Sequence, residues 1–231
     1  MQLTVLDRNN PEQDFPLPNT ALREPDGLLA VGGCLSQSRL LNAYRHGIFP
    51  WYNPGEPILW WSPDPRLVLF PDKLLISRSL AKTLRKNIFT VTFDQAFDKV
   101  IAACADPRKD AGGTWITTEI NAAYNLLHQA GFAHSVEAWV GDELVGGLYG
   151  IALGQVFFGE SMFHNKTDAS KVAFATLVKQ LQSWNYRLID CQVHTRHLES
   201  LGAQEIARSY FTKLLDQYCA IPAQAGAWRA E

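Results

Sequence analysis

Three polar side chains stand where apolar ones are expected. Glu160 lies in the run V-F-F-G-E-S-M-F at 156–163, and Asp190 and Gln192 lie in L-I-D-C-Q-V at 188–193. Both runs are short and rich in β-branched or aromatic residues, which predicts buried strands. With a period of two, Asp190 and Gln192 share one face while Ile189, Cys191 and Val193 take the other. A carboxylate in such surroundings has to be paired or hydrogen-bonded, or its pKa shifts. One buried polar residue is usually a satisfied structural partner. Two carboxylates and an amide on two apolar strands point more strongly to a site. The chemistry such a set offers is proton transfer and orientation of a nucleophile; the spacing names no reaction.

Two other stretches carry binding chemistry. Residues 47–66, G-I-F-P-W-Y-N-P-G-E-P-I-L-W-W-S-P-D-P-R, hold five prolines and three tryptophans, too apolar for a linker and too broken for a regular element. The segment is either a hydrophobic clasp between subdomains or a wall of aromatic faces on which a flat ligand stacks. In S-R-S-L-A-K-T-L-R-K at 77–86, a helix puts Arg78, Lys82, Arg85 and Lys86 on one face with no acid interleaved. Charge runs are commonly just solvated, but an unneutralised cationic face fits phosphate, with salt-sensitive affinity.

The elements that position these groups follow in order. A short strand and a proline-punctuated loop occupy the first 25 residues. Ser36 caps a helix over 37–46 that Gly47 ends, and strands are expected at 67–70 and 90–93, with Asp94 capping a helix over 95–105. A helix near 119–130, with Ile120, Tyr124 and Leu127 inward, precedes a change of period. Strands at 135–140, 143–152 and 156–163, joined by Gly141-Asp142 and Gly154-Gln155 turns, predict an antiparallel meander. Thr167 or Asp168 caps a helix to Trp184, after which 188–193 returns beside 156–163 by a β-α-β crossover. The stretch 198–218 reads as helix broken at Gly202.

The totals bound the class. The chain has 231 residues, 47% apolar and 19% charged, enough for one large domain or two modest ones. No apolar run spans a membrane, and the first seven residues lack a signal-peptide pattern. The four scattered cysteines (Cys34, Cys104, Cys191, Cys219) show no metal spacing and fit reduced thiols in the cytoplasm. A net charge of −2 argues against a protein that coats nucleic acid, while leaving room for a local basic patch.

A meander, a helix and a returning parallel strand resemble the GNAT acyltransferase architecture. Acetyl-CoA users carry a glycine-rich turn at the following helix; here that turn is H-N-K-T-D-A-S-K at 164–171, without glycine. The motifs G-L-L-A-V-G-G (27–33), G-I-F-P-W (47–51), W-W-S-P-D-P-R (60–66), G-T-W-I-T (113–117), A-H-S-V-E (133–137), G-E-S-M-F (159–163) and I-D-C-Q-V (189–193) together resemble the leucyl/phenylalanyl-tRNA–protein transferase family over nearly the whole chain. Cys34 departs from the acid often found after the paired glycines.

The resemblance implies a mixed α/β fold with a largely antiparallel sheet: a small N-terminal α/β subdomain at 1–62 and a GNAT-like acyltransferase domain at 63–231. It implies transfer of Leu or Phe (with Met a further donor) from aminoacyl-tRNA to proteins beginning with Arg or Lys, marking them for degradation. Because the donor is already activated, no metal or nucleotide cofactor is expected, and because no exposed apolar stripe demands a partner, a cytoplasmic monomer is expected. By chemistry and resemblance together, Asp190 takes or steers the amine proton and Gln192 holds Asp190 or the amine in line. Glu160 binds the acceptor's cationic end or the donor's terminal ribose. Trp51 and Trp115 line the site for the terminal adenosine. Leu148, Phe157, Gly159, Met162, Leu177 and Leu181 form the amino-acid pocket, with Phe in some members at 177 and 181. Arg78, Lys82, Arg85 and Lys86 meet the tRNA stem. The alternatives are a peptidoglycan-precursor peptidyltransferase using aminoacyl-tRNA, a CoA-dependent N-acetyltransferase, and a non-catalytic RNA-binding module.

Overall fold

A computed structural model of the chain describes residues 3–106 and 115–228; Gly113 and Thr114 of the G-T-W-I-T motif and most of the preceding loop lie outside the described residues. The chain opens with strand β1 (Thr4–Leu6), β2 (Leu28–Gly32) and helix α1 (Gln37–Arg45), then β3 (Phe49–Pro50) and β4 (Leu59–Trp61). Ser36 caps α1 as expected, its side chain accepting from the Arg39 N–H. These strands form a four-stranded sheet in the order β1-β2-β4-β3. The proline- and tryptophan-rich segment is therefore partly regular: it contributes two short strands, and Trp60, wholly buried, donates its indole N–H to the Gly32 carbonyl at 2.9 Å. Prolines disguise such strands because Pro tolerates only edges and strand ends.

The second half of the fold begins with β5 (Arg66–Leu69), α2 (Arg78–Lys86), β6 (Thr90–Phe93), α3 (Phe97–Ala105) and α4 (Thr118–Gln129). It continues through β7 (Ala133–Val140), β8 (Glu143–Leu153), β9 (Val156–His164), α5 (Ala169–Ser183) and β10 (Leu188–Gln192), and closes with α6 (Arg196–Glu199), β11 (Gln204–Ile206) and α7 (Arg208–Tyr218). A seven-stranded sheet runs β11-β5-β10-β9-β8-β7-β6, antiparallel except for the β9–β10 pair. The meander and the parallel return through α5 are as the sequence predicts, and the Gly141 and Gly154 turns take φ of 58° and 57°, which two-residue hairpin loops require.

Three local expectations are corrected. Asp94 does not cap α3; at φ 55° it turns its carboxylate back onto β7, accepting from the Ser135 N–H at 2.8 Å and bonding His134 Nδ1 at 2.7 Å. Asp168 stands at the α5 N-cap position in the left-handed conformation without capping, and instead accepts from the Thr83 hydroxyl at 3.0 Å and pairs with Lys171. The stretch 198–218 is not one broken helix, because β11 pairs with β5 inside it. Three isolated residues on a sheet edge carry too few side chains to show a period.

Two cores sandwich the large sheet. On one side α5 buries Leu177, Val178 and Leu181 against Leu148, Phe157 and Ile189. On the other, α3, α4 and α1 pack with the small sheet around Tyr44, Trp60, Tyr124, Tyr149 and Phe158. No helix among the described residues is long and apolar enough to cross a membrane.

Candidate active site

The central feature is a parting of two strands. β9 and β10 pair only over Val156–Phe158 and Leu188–Asp190. Beyond that point each strand slips against its other neighbour: β9 shifts register against β8 around Glu160, and β10 against β5 around Cys191. Bulges bend a strand and redirect its side chains. Gln192 consequently adopts φ 62°, so it is the bulge, and not simple alternation, that sets its relation to Asp190. A Cβ added to Gly159 would meet only the Asp190 carbonyl oxygen, at 3.5 Å. The strands thus open just where Glu160 and Gln192 leave them.

Asp190 lies at the base of the opening with no exposed surface. Its oxygens accept from Arg66 Nε at 2.8 Å, from Arg66 Nη2 at 2.6 Å, and from the Gln192 backbone N–H at 2.9 Å. Arg66, itself 1% exposed, donates a further bond to the Gly47 carbonyl at 3.1 Å. Its guanidinium stands 4.8 Å from the Phe49 ring centroid and 4.7 Å from that of Phe211, a cation–π setting that replaces hydration. Both Asp190 oxygens are thus engaged, and the side chain is shut off from solvent.

Glu160 is the carboxylate that faces the opening. Gln192 Nε2 donates to its Oε1 at 2.9 Å and the Tyr124 hydroxyl to its Oε2 at 3.0 Å, with the Tyr44 hydroxyl bonded to Tyr124 behind. Burial pushes its pKa up from 4.5 to about 7; the Tyr44 and Tyr124 hydroxyls pull it back, the Asp190 charge raises it, and Arg66 lowers it. Burial first, and then the same Glu160 charge, hold the Tyr44 and Tyr124 phenols well above 10, so both remain hydroxyl donors.

The remaining candidates divide. Leu148, Phe157, Leu177 and Leu181 are 0–3% exposed in one cluster under α5, with Met162 packed on it and, like Gly159, partly accessible. Trp51 is 49% exposed and meets Trp61 edge-on, whereas Trp115 is half-buried against the opposite core. The segments carrying them are joined by the Tyr52 hydroxyl, 3.4 Å from both Thr117 Oγ1 and Glu119 Oε2. Arg78, Lys82, Arg85 and Lys86 are all exposed on α2, and the ion pairs among the described residues include none of them.

The site also contains Arg66, Tyr44 and Tyr124, which sequence reasoning missed. The signal for Arg66 was an arginine heading the apolar run R-L-V-L while a buried aspartate lacked a partner. Tyr124 sat on a helical stripe that reads as core, and nothing marked Tyr44.

Removing one member of a buried ion pair strands the other. Arg66→Met is expected to lower stability by about 3–5 kcal/mol, read from urea unfolding. The double substitution Arg66→Met with Asp190→Leu should recover most of that loss, and a double variant as unstable as the single one would contradict the pairing.

Comparison with known proteins now bears on this geometry. Residues 68–216 match the family model described as leucyl/phenylalanyl-tRNA protein transferase, and residues 33–64 match its N-terminal domain. Proteins named leucyl/phenylalanyl-tRNA–protein transferase are 59% identical in Methylococcus capsulatus, covering 98% of this chain and 97% of that protein, and 61% identical in Nitrosomonas europaea, covering 93% and 91%. One from Chromohalobacter salexigens is 63% identical over 94% of this chain and 84% of its own length. Among solved structures, FemX aligns at 10% identity over 78% of this chain and 71% of its own, with a TM-score of 0.47, a likeness too distant to define the site. With matched blocks on both sheets and identity near 60% across almost its full length, the chain belongs to the leucyl/phenylalanyl-tRNA protein transferase family of aminoacyltransferases.

Proposed function

We propose that the chain moves leucine or phenylalanine from its tRNA to the N-terminal α-amine of proteins beginning with Arg or Lys, and that the peptide bond forms in the opening between β9 and β10. The observation that carries this reading is Glu160, an acid with a pKa near 7, hydrogen-bonded on both oxygens beside two parting strands. The acceptor arrives largely as an ammonium whose pKa is about 7.7–8.0. A carboxylate titrating near 7 accepts that proton with little loss of driving force. The freed lone pair attacks the ester carbonyl, the C–N bond forms, and the bond to the ribose 3′ oxygen breaks. Protonated Glu160 returns that proton to the leaving oxygen, and the attacking nitrogen gives up its second excess proton to solvent, leaving a neutral amide.

Gln192 holds the Glu160 carboxylate through its side-chain amide, and Asp190 holds Gln192 through its backbone N–H. In this reading both are positioning residues, and Arg66 fixes Asp190 in turn. The accessible edge of the α5 cluster at Gly159 and Met162 supports access there for the donated side chain, with Leu148, Phe157, Leu177 and Leu181 deeper. Exposed Trp51 offers a face on which an adenine stacks, and Trp115 stands on the segment tied to it. The cationic face of α2 suits phosphates of the acceptor stem, which position rather than specify. Cys34, Cys104, Cys191 and Cys219, none of them in a disulfide among the described residues, suit a cytoplasmic enzyme, and we expect a monomer.

The direct test supplies radiolabelled Leu-tRNA, Phe-tRNA or Val-tRNA with peptides beginning Arg, Lys or Ala. Label should pass from the Leu and Phe donors to the Arg and Lys peptides alone. Binding of tRNA without transfer to any peptide would overturn the assignment.

Glu160 also makes a stability prediction. Its folded pKa of about 7 exceeds the ordinary 4.5, so between those values the folded chain binds a proton that the unfolded chain does not. Stability is therefore expected to fall as pH rises from about 4.5 through about 7, by about 2 kcal/mol once partial solvent contact is allowed for. Glu160→Gln should flatten this slope in urea unfolding measured from pH 4.5 to 8. A slope retained by the variant would locate the titration elsewhere.

A further inference from the structure

Beyond α7 the chain folds back across the base of the large sheet. The Gln155 N–H donates to the Tyr218 carbonyl at 3.0 Å, and Asn185 Nδ2 reaches Gln224 Oε1 at 3.3 Å. The path ends on Trp228, whose backbone takes φ 62°. A bulky residue persists in that region only where its surroundings hold it, and here they do. The indole stacks on the His134 ring at 4.2 Å and 14°, and meets Phe157 at 5.6 Å and 23°. Trp184 and Phe93 close its other sides at 5.0 Å and 6.2 Å, and its N–H donates to the Tyr186 hydroxyl at 2.8 Å. His134 is itself fixed by Asp94 at 2.7 Å.

Phe157 gives this docking its consequence. The ring is 1% exposed and belongs to the α5 cluster with Leu148, Leu177 and Leu181. Its tip fills the space above Gly150, where an added Cβ would lie 2.5 Å from Cζ, so the ring has no room toward β8. The Trp228 indole covers a face of the ring.

We propose that Trp228 is a positioning residue for donor selection: by bracing Phe157 it sets the depth of the amino-acid pocket, and the C-terminal segment is thereby part of the specificity apparatus. The inference rests on the reading above that Phe157 and its neighbours receive the donated side chain. Without the indole, Phe157 can swing outward, and a deeper pocket favours the larger donor. A well-packed apolar pocket discriminates side chains differing by a few carbons only modestly, so the expected effect is a shift in ratio.

The test measures kcat/KM for Phe-tRNA and for Leu-tRNA with one Arg-peptide acceptor in wild type, Trp228→Ala and Trp228→Phe. Trp228→Ala should raise the Phe-to-Leu ratio by about threefold or more, and Trp228→Phe, which restores a ring, should return it to within about twofold of wild type. An unchanged ratio, or an equal fall for both donors, would overturn the proposal. Should Trp228→Ala fail to fold by circular dichroism, Tyr186→Phe removes only the indole's acceptor, and an unchanged ratio in that variant would overturn it equally. Failure of the underlying reading looks different: Leu148→Ala and Leu177→Ala would then leave the donor ratio at its wild-type value.

Discussion

Arg66 and Asp190 are buried together between the two sheets, and most of what surrounds the site is arranged to make that tolerable. Two full charges cannot leave water unless fixed dipoles and counter-charges replace the solvent. Here the guanidinium presents its fork to the carboxylate, gives a third bond to the Gly47 carbonyl, and lies between the rings of Phe49 and Phe211. Those contacts come from the small sheet and its approach loop, from β5, from β10 and from α7. A hydrophobic replacement of such a pair is often no less stable. The interaction is thus better understood as a fixed point than as a source of stability: it determines where the β10 backbone turns, and so where Gln192 points.

From that point the two carboxylates stand in contrasting environments. Asp190 is sealed against solvent and neutralised by a partner at hydrogen-bond distance. Glu160 has only neutral donors, an amide and a phenol, and burial without a paired cation pushes its pKa to about 7. An acid whose surroundings bring its proton affinity close to neutral pH is a common basis for acid–base work. The negative charge of Asp190 contributes by raising the pKa of Glu160 further, and Arg66 moderates it.

Much of this was legible in the sequence, and the exceptions have physical causes. The meander, the crossover helix and the parallel return followed from period-two runs broken by Gly141 and Gly154, and Glu160, Asp190 and Gln192 stood out as polar groups in apolar strands. Hidden were the partners that such groups require. Arg66 reads as the end of a proline-rich loop, Tyr124 as one more apolar position on a helix, and Tyr44 as ordinary core; each meets its partner across a separation of 36 residues or more. The bulges in β9 and β10 were also hidden, because register is a property of strand pairs and no single strand records it. Asp94 and Asp168 misled as helix caps because an aspartate before a helix serves equally well as an anchor to a neighbouring strand or helix.

The account turns on Glu160, and not Asp190, exchanging the proton. The most direct measurement is the single-turnover transfer rate against pH for wild type and Asp190→Asn, corrected for titration of the acceptor amine. If Asp190 positions, the variant is slower at every pH and keeps an inflection, displaced below the wild-type value of about 7 because the Asp190 charge no longer raises the Glu160 pKa. Loss of that inflection in Asp190→Asn would make Asp190 the base and contradict the account.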